Sequence, residues 1–213
     1  RPNIGVLYGM TEAPIATCIR PEELDCDPER RSALIESVGR ELFGYQVRID
    51  VPGAEPSAEA DLEGEVLIRG GNVMAGYWKN EEATRAVLSG NTLRTGDLGR
   101  FDEAGNLFIV GRLKDVIRSG SSSILPKEVE DVIGSHPAVR EVAVLGLPNV
   151  EWGEAVTAFV VLKPGMSASE TEIIEHCRGH LANYKKPRSV RFMESLPRSH
   201  YGKVLQTQLI AQS

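Results

Sequence analysis

With 213 residues, 41% hydrophobic and 25% charged, the chain has enough apolar material for one large domain or two small ones around a real core. A formal net charge of −6 with no basic stripe argues against nucleic acid and against a polyanionic membrane surface as partners. The longest apolar runs, such as 155–162, are strand length and far too short to span a bilayer, so no transmembrane segment is expected.

The chain opens on Arg1 rather than Met, and no charged-then-apolar leader follows, so it is read as processed or as a piece of a longer protein. Near this end, Tyr8-Gly-Met-Thr-Glu12 places an aromatic ring, a glycine for close backbone approach, a hydroxyl and a carboxylate within a few residues. The cysteines Cys18, Cys26 and Cys177 show no CxxC spacing and leave an odd thiol, which suits a reducing cytoplasm better than a disulfide framework.

Strands are expected at 46–50 and 65–69, joined by a loop over 52–63 that is rich in Pro, Ala and acid and has no period. A short helix near 81–88 follows. A hairpin, 98–102 with 106–111, is turned by Asp102-Glu-Ala-Gly105. Short strands with Gly-rich turns predict a small β-rich subdomain. Arg94-Thr-Gly-Asp-Leu98 sets a carboxylate just past a glycine, and Gly111-Arg-Leu-Lys-Asp115 crowds charges onto a strand exit.

Around Gly111–Lys114 the pattern changes to an alternation of strand and helix. A strand is expected at 116–118, and Pro126 opens a helix whose Val129, Val132 and Ile133 share one apolar face until His136-Pro137 stops it. The continuous apolar runs 139–147 and 155–162 predict strands buried on both sides. Ser169-x-x-Glu172 is a capping-box pattern for a helix that turns Ile173, Ile174, Cys177 and Leu181 to one side. A strand at 189–193, a flexible loop carrying Lys203 and a short terminal helix complete a β-α-β-β-α-β order. That order is an α+β unit of roughly 100 residues.

Nucleotide-loop signatures are missing. Gly202-Lys203 is followed by Val204, so it is no Walker loop, and no GxGxxG follows a strand. His176 and His180 are one helical turn apart, as zinc ligands are. Cys177 falls on the apolar face beside them, however, and no third ligand is near, so the pair reads as structural. Taken singly, each charged loop segment is what a solvated loop end looks like. Their occurrence together, in one order, is not explained by packing.

That ordered set resembles the adenylate-forming (AMP-binding) superfamily of acyl-CoA synthetases, carrier-protein-loading adenylation domains and luciferases. The resemblance runs from Tyr8 to Leu205 and is carried by Tyr8-Gly-Met-Thr-Glu12, Gly64-Glu-Val-Leu-Ile-Arg-Gly70 through Gly76-Tyr-Trp78, Thr95-Gly-Asp97, Gly111-Arg112, Glu128-Val-Glu130, Tyr184-Lys-Lys-Pro187 and Gly202-Lys-Val-Leu205. It implies an α/β and α+β chain: the β-rich end of a large AMP-binding N-terminal domain over 1–113, then a small, mobile α+β C-terminal lid domain over 114–213. The hinge would fall at Lys114.

The resemblance also implies site roles. Tyr8 would lie against adenine, Thr11 would contact the α-phosphate and Glu12 would bind Mg²⁺. Asp97 and Arg112 would hold the ribose, and Lys203 would reach both the substrate carboxylate and the α-phosphate. Ser119, Gly120 and Ser121 would line the CoA side. Relatives commonly carry a second glycine where Ser121 stands, and Arg where Gln206 stands. The implied enzyme is an ATP-dependent, Mg²⁺-requiring acid–CoA ligase, with ATP, a small carboxylic acid and CoA as partners. A carrier-protein loader and a non-catalytic paralogue are the alternatives. The phosphate loop and acid pocket of relatives lie in an N-terminal portion that precedes this segment, so the isolated chain is expected to be inactive.

Overall fold

The computed structural model describes residues 4–212. Its chain divides into two compact units between Leu113 and Lys114.

The first unit holds β1 (Val6–Met10), β2 (Ala13–Ile19), α1 (Pro28–Glu36), β3 (Arg40–Glu41), β4 (Tyr45–Asp50), β5 (Gly64–Gly70), α2 (Glu81–Val87), β6 (Leu88–Ser89), β7 (Thr92–Phe101) and β8 (Leu107–Arg112). Strands β1, β2 and β3 form an antiparallel sheet in that order. A second sheet runs β4-β5-β7-β6, and β8 pairs with the far end of β7. Alternation along β4 explains the layering: Tyr45, Val47 and Ile49 are buried, and the residues between them are more open. They join Val66, Ile68, Leu93, Phe101 and Leu107, with Ala13 and Ala16 from β2, in one core. Small alanines let β2 come close to this core, each larger side chain of which gains about 1.5–3 kcal/mol from burial.

The β1–β2 hairpin and α1 are absent from the pattern read in the sequence. Strand β1 alternates half-buried with exposed residues, including an exposed Leu7, so hydrophobicity alone does not mark it. Helix α1 buries no residue and is held at its start by Asp27, whose side chain accepts from the Arg30 N–H at 2.9 Å. An amphipathic stripe was not there to be found.

The second unit holds β9 (Ile117–Ser119), β10 (Ser122–Ile124), α3 (Pro126–Gly134), β11 (Val139–Asn149), β12 (Gly153–Leu162), α4 (Glu170–Arg178), β13 (Ser189–Phe192) and α5 (Gln206–Ala211). Long β11 and β12 pair antiparallel, and β13 joins β12 in parallel. The β9–β10 hairpin meets the start of β12, where Ser119 pairs with Gly153. Both faces of β12 are covered. Val156, Ala158 and Val160 pack with α3 and α4, including a fully buried Ile133, Ile173 and Cys177. Phe159 and Val161 face Leu145, Leu147, Leu196 and Leu209 of α5. This two-sided burial is why the run lacks a polar alternate.

Helix α4 starts with the expected capping box: Ser169 Oγ accepts from the Glu172 N–H, and the Glu172 carboxylate accepts from the Ser169 N–H at 2.7 Å. Burial pushes the Cys177 thiol up to about 11. Among the described residues no helix is long and apolar enough to cross a membrane.

Candidate functional site

In the first unit, three of the expected side chains meet. Asp97 on β7 lies directly opposite Arg112 on β8, and the Arg112 Nε–H donates to Asp97 Oδ1 at 2.8 Å. The other oxygen, Oδ2, accepts from the Tyr8 hydroxyl, also at 2.8 Å. Asp97 is only 5% exposed, so its charge is held by these two donors rather than by water. Burial, then the neighbouring carboxylate, raises the Tyr8 phenol well above its ordinary range, keeping it a proton donor at any physiological pH. A carboxylate offers about four lone-pair positions. Two remain for further hydroxyl donors, which is the capacity a vicinal diol requires.

Next to Tyr8, β1 and β2 approach closely. A Cβ on Gly9 would stand 2.2 Å from the Pro14 carbonyl oxygen, so only glycine fits between the strands. At the turn after β1, Thr11 is exposed and Glu12 is half-buried. The Glu12 carbonyl accepts from the Met74 N–H at 2.8 Å and its Oε1 accepts from the Tyr77 hydroxyl at 2.7 Å. Glu12 is thus fixed by the 71–80 segment at both its backbone and one carboxylate oxygen. Among the described residues no group of three or more His, Cys, Asp or Glu is placed to hold a metal. A single carboxylate suits Mg²⁺ arriving on phosphate, since that ion keeps waters and phosphate oxygens as its remaining ligands.

The segment that presents Asp97 is not a plain strand. Glu65 pairs with Leu98 and Leu67 with Arg94, so three residues of β7, Thr95 to Asp97, face Val66 alone. Gly96 adopts φ +71 within this bulge. Side chains meet its backbone. Thr95 Oγ1 donates to the Val66 carbonyl at 2.7 Å and accepts from the Asp97 N–H at 3.0 Å. Glu65 Oε1 accepts from the Gly96 N–H at 3.1 Å. Glu65 is 8% exposed, and its second oxygen pairs with Arg94, which also binds Asp50 at 2.6 Å.

The remaining expected residues belong to the second unit. Lys114 is exposed at its first position, in a 3-10 turn over Leu113–Asp115. Ser119 is buried at the end of β9, and Gly120-Ser121 forms the two-residue turn to β10. Gly120 has φ +61 and its N–H donates to the Trp152 carbonyl at 2.7 Å; Ser121 has no positive φ. The turn therefore requires glycine at its first position and not at the second.

Lys203 is exposed, as expected, but the loop that carries it is more built than its composition suggests. The Ser199 N–H donates to the Lys203 carbonyl at 2.7 Å and the Lys203 N–H to Ser199 Oγ at 3.2 Å. Arg198 clamps it further, donating to the Gly202 carbonyl and to Glu141 on β11, each at 2.7 Å. His176 and His180 spend ring nitrogens on the carbonyls of Val132 and His176, at 3.1 and 2.8 Å.

Glu65, Arg94, Thr95 and Tyr77 lie inside the segments that the sequence marks, yet no role is expected of them there; in the structure they support the site. For Glu65 a signal existed: it is a lone acid beside three consecutive apolar residues of a strand, Val66, Leu67 and Ile68.

A family profile described as AMP-binding enzyme matches residues 1–78, and one described as AMP-binding enzyme C-terminal domain matches residues 128–203. A methyl-dioxo-octahydroindenyl-propanoyl:CoA ligase of Mycobacterium tuberculosis is 42% identical over 204 residues, which is 95% of this chain and 37% of the relative. ATP-bound MatB of Rhodopseudomonas palustris is 34% identical with a TM-score of 0.86, over 98% of this chain and 40% of that one. The amide bond synthetase McbA of Marinactinospora thermotolerans is 36% identical with a TM-score of 0.86, over 98% of this chain and 42% of that one. The chain therefore spans about two-fifths of the length of these relatives.

Proposed function

The chain belongs to the AMP-binding enzyme family, and on that premise we propose that it forms part of an ATP-dependent acid–CoA ligase. In this reading residues 1–113 complete the large AMP-binding domain, and 114–213 form the small mobile domain with its hinge at Lys114. The observation that carries the proposal is the Asp97 carboxylate, nearly sealed from water and gripped by Tyr8 and Arg112 at 2.8 Å each. It keeps two acceptor positions for the ribose hydroxyls. The Tyr8 ring lies against adenine, and Thr11 contacts the α-phosphate.

Glu12 would hold the Mg²⁺ that accompanies the triphosphate; the chemistry such an ion would supply when bound is an offset of phosphate charge. Lys203 contributes the mobile positive charge: its ammonium contacts both the attacking carboxylate and the α-phosphate, where negative charge builds in the transition state. Lysine suits this as a compact point charge on a long stem. Its turn, braced by Arg198, keeps the stem's base from wandering. Ser119, Gly120 and Ser121 face CoA in the second half-reaction, in which the thiol displaces AMP. A reducing cytoplasm fits the unpaired cysteines.

The test is acid-dependent pyrophosphate release and acyl-CoA formation by the full-length protein, with ATP, Mg²⁺, CoA and a panel of carboxylic acids. Acid-independent ATP turnover, or no adenylate with any acid, refutes the proposal. A second reading keeps the adenylate and changes the acceptor. The likeness to an amide bond synthetase is as strong as that to MatB, and Ser121 replaces a residue expected on the thiol side. Acyl transfer to an amine or a carrier protein, with none to CoA, would select it.

A further inference from the structure

We propose that Glu65 is a positioning residue of the nucleotide site: together with Thr95 it splints the β7 bulge that aims Asp97. The inference rests on the ribose role given to Asp97 above. A strand with three residues opposite one has backbone groups out of step with its neighbour's ladder, and left alone such a segment samples several shapes. Here two side chains fix it. Glu65 holds the Gly96 N–H at 3.1 Å, and Thr95 Oγ1 ties the Asp97 N–H at 3.0 Å to the Val66 carbonyl at 2.7 Å. The peptide groups on the N-terminal side of both Gly96 and Asp97 are thereby clamped. The direction in which the Asp97 carboxylate leaves the chain follows from those two peptides.

Glu65 suits this task because its two oxygens can take the Gly96 N–H and the Arg94 guanidinium at once. It is 8% exposed, and a buried carboxylate needs a partner; Arg94, from the same bulged strand, supplies it. Arg94 also binds Asp50 on β4 at 2.6 Å, so the bulge is tied to its neighbour β5 and, across it, to β4. Neither Glu65 nor Thr95 is assigned any contact with the nucleotide. Their effect would reach it through Asp97, joined for Thr95 by the Tyr8 hydroxyl beside it.

The experiment compares dissociation constants for ATP and 2′-deoxy-ATP by isothermal titration in the full-length protein. The ratio reports how well Asp97 meets the ribose. Loss of one hydrogen bond to a charged group sets the wild-type ratio on the order of 10 to 100. Asp97→Ala should bring it close to one. Glu65→Ala and Thr95→Val are each expected to lower it by roughly threefold to tenfold, while Glu65→Gln, which keeps an acceptor for Gly96, retains it. The acid's KM should not move, which separates a positioning effect from general loosening. If Glu65→Ala does not fold, the near-isosteric Thr95→Val decides. A wild-type ratio in a folded Glu65→Ala or Thr95→Val, with the ratio collapsed in Asp97→Ala, overturns the splint and leaves the ribose reading intact. An unchanged ratio in Asp97→Ala overturns the ribose reading itself.

Discussion

Arg112 stands directly across the β7–β8 ladder from Asp97, and its Nε–H reaches Oδ1 at 2.8 Å. Register, not chance rotamers, makes this pair: once the hairpin forms, the two positions are cross-strand neighbours. The Tyr8 hydroxyl then closes the other side of the carboxylate from a different sheet.

Removing the guanidinium with Arg112→Ala should leave a nearly buried carboxylate with one donor instead of two. ATP affinity of the full-length protein is expected to fall roughly tenfold or more, the worth of a hydrogen bond to a charged group. The acid's KM should stay put. Titration with ATP checks this, and unchanged affinity would count against the site.

Lys203→Ala should act on rate and not on binding. The side chain is exposed and its turn is held by Ser199 and Arg198 through backbone and other side-chain groups, so stability should shift by less than about 0.5 kcal/mol. Acid-dependent ATP–pyrophosphate exchange is expected to drop by about 100-fold or more, as loss of a charge aimed at the transition state does. ATP binding that weakens in step with exchange would contradict the assigned role.

At the β9–β10 turn, Gly120→Ala and Ser121→Gly should differ sharply. Alanine at φ +61 costs roughly 1–2 kcal/mol, although the space itself is adequate, with the nearest Trp152 atom 3.4 Å from a built Cβ. Ser121→Gly relieves no strain and should change stability little. Urea midpoints of the two variants test the contrast. If the turn serves thioester formation, Gly120→Ala should also slow that half-reaction more than adenylation.

Glu130 offers a prediction in pH. Its carboxylate takes the Val144 N–H at 2.9 Å, but burial outweighs that bond and raises its pKa above the ordinary value. A raised carboxyl pKa means that the folded form holds the proton more tightly than the unfolded chain. The penalty for the charge is therefore full above the folded pKa and fades as pH falls through it toward the unfolded value. Glu130→Gln keeps an acceptor for Val144 and loses the charge. Its urea midpoint should exceed that of the wild type at pH 7, and the gain should vanish below pH 4. A gain that persists at low pH would show that charge is not the cause.

Much of this architecture is legible in the sequence because the residues concerned advertise themselves locally. Ser169 and Glu172 announce the start of α4, Pro126 that of α3, and the apolar run of β12, interrupted only by a buried Thr157 after Ala155, announces cover on both faces. The family resemblance marks Tyr8, Asp97 and Arg112, and the structure brings the three together. What escaped is what depends on distant partners. Helix α1 has no buried face to generate a period. The alternation of β1 is masked by an exposed Leu7. Glu65 binds groups 29 and 31 positions away, across a bulge whose extra residues no local pattern encodes. The Lys203 loop looked slack because its brace, Glu141, lies 57 positions upstream of Arg198.

Cys177, fully buried between α4 and the central sheet of the second unit, has a practical consequence. Only the thiolate reacts, and this thiol is both enclosed and hard to ionise. Alkylation at pH 8 must therefore wait for α4 to lift from β12, whereas the half-buried Cys18 and Cys26 need no such event. The cysteine thus serves as a native stopwatch for the second unit: its labelling rate, followed by mass spectrometry, times the opening of that core without any engineered probe.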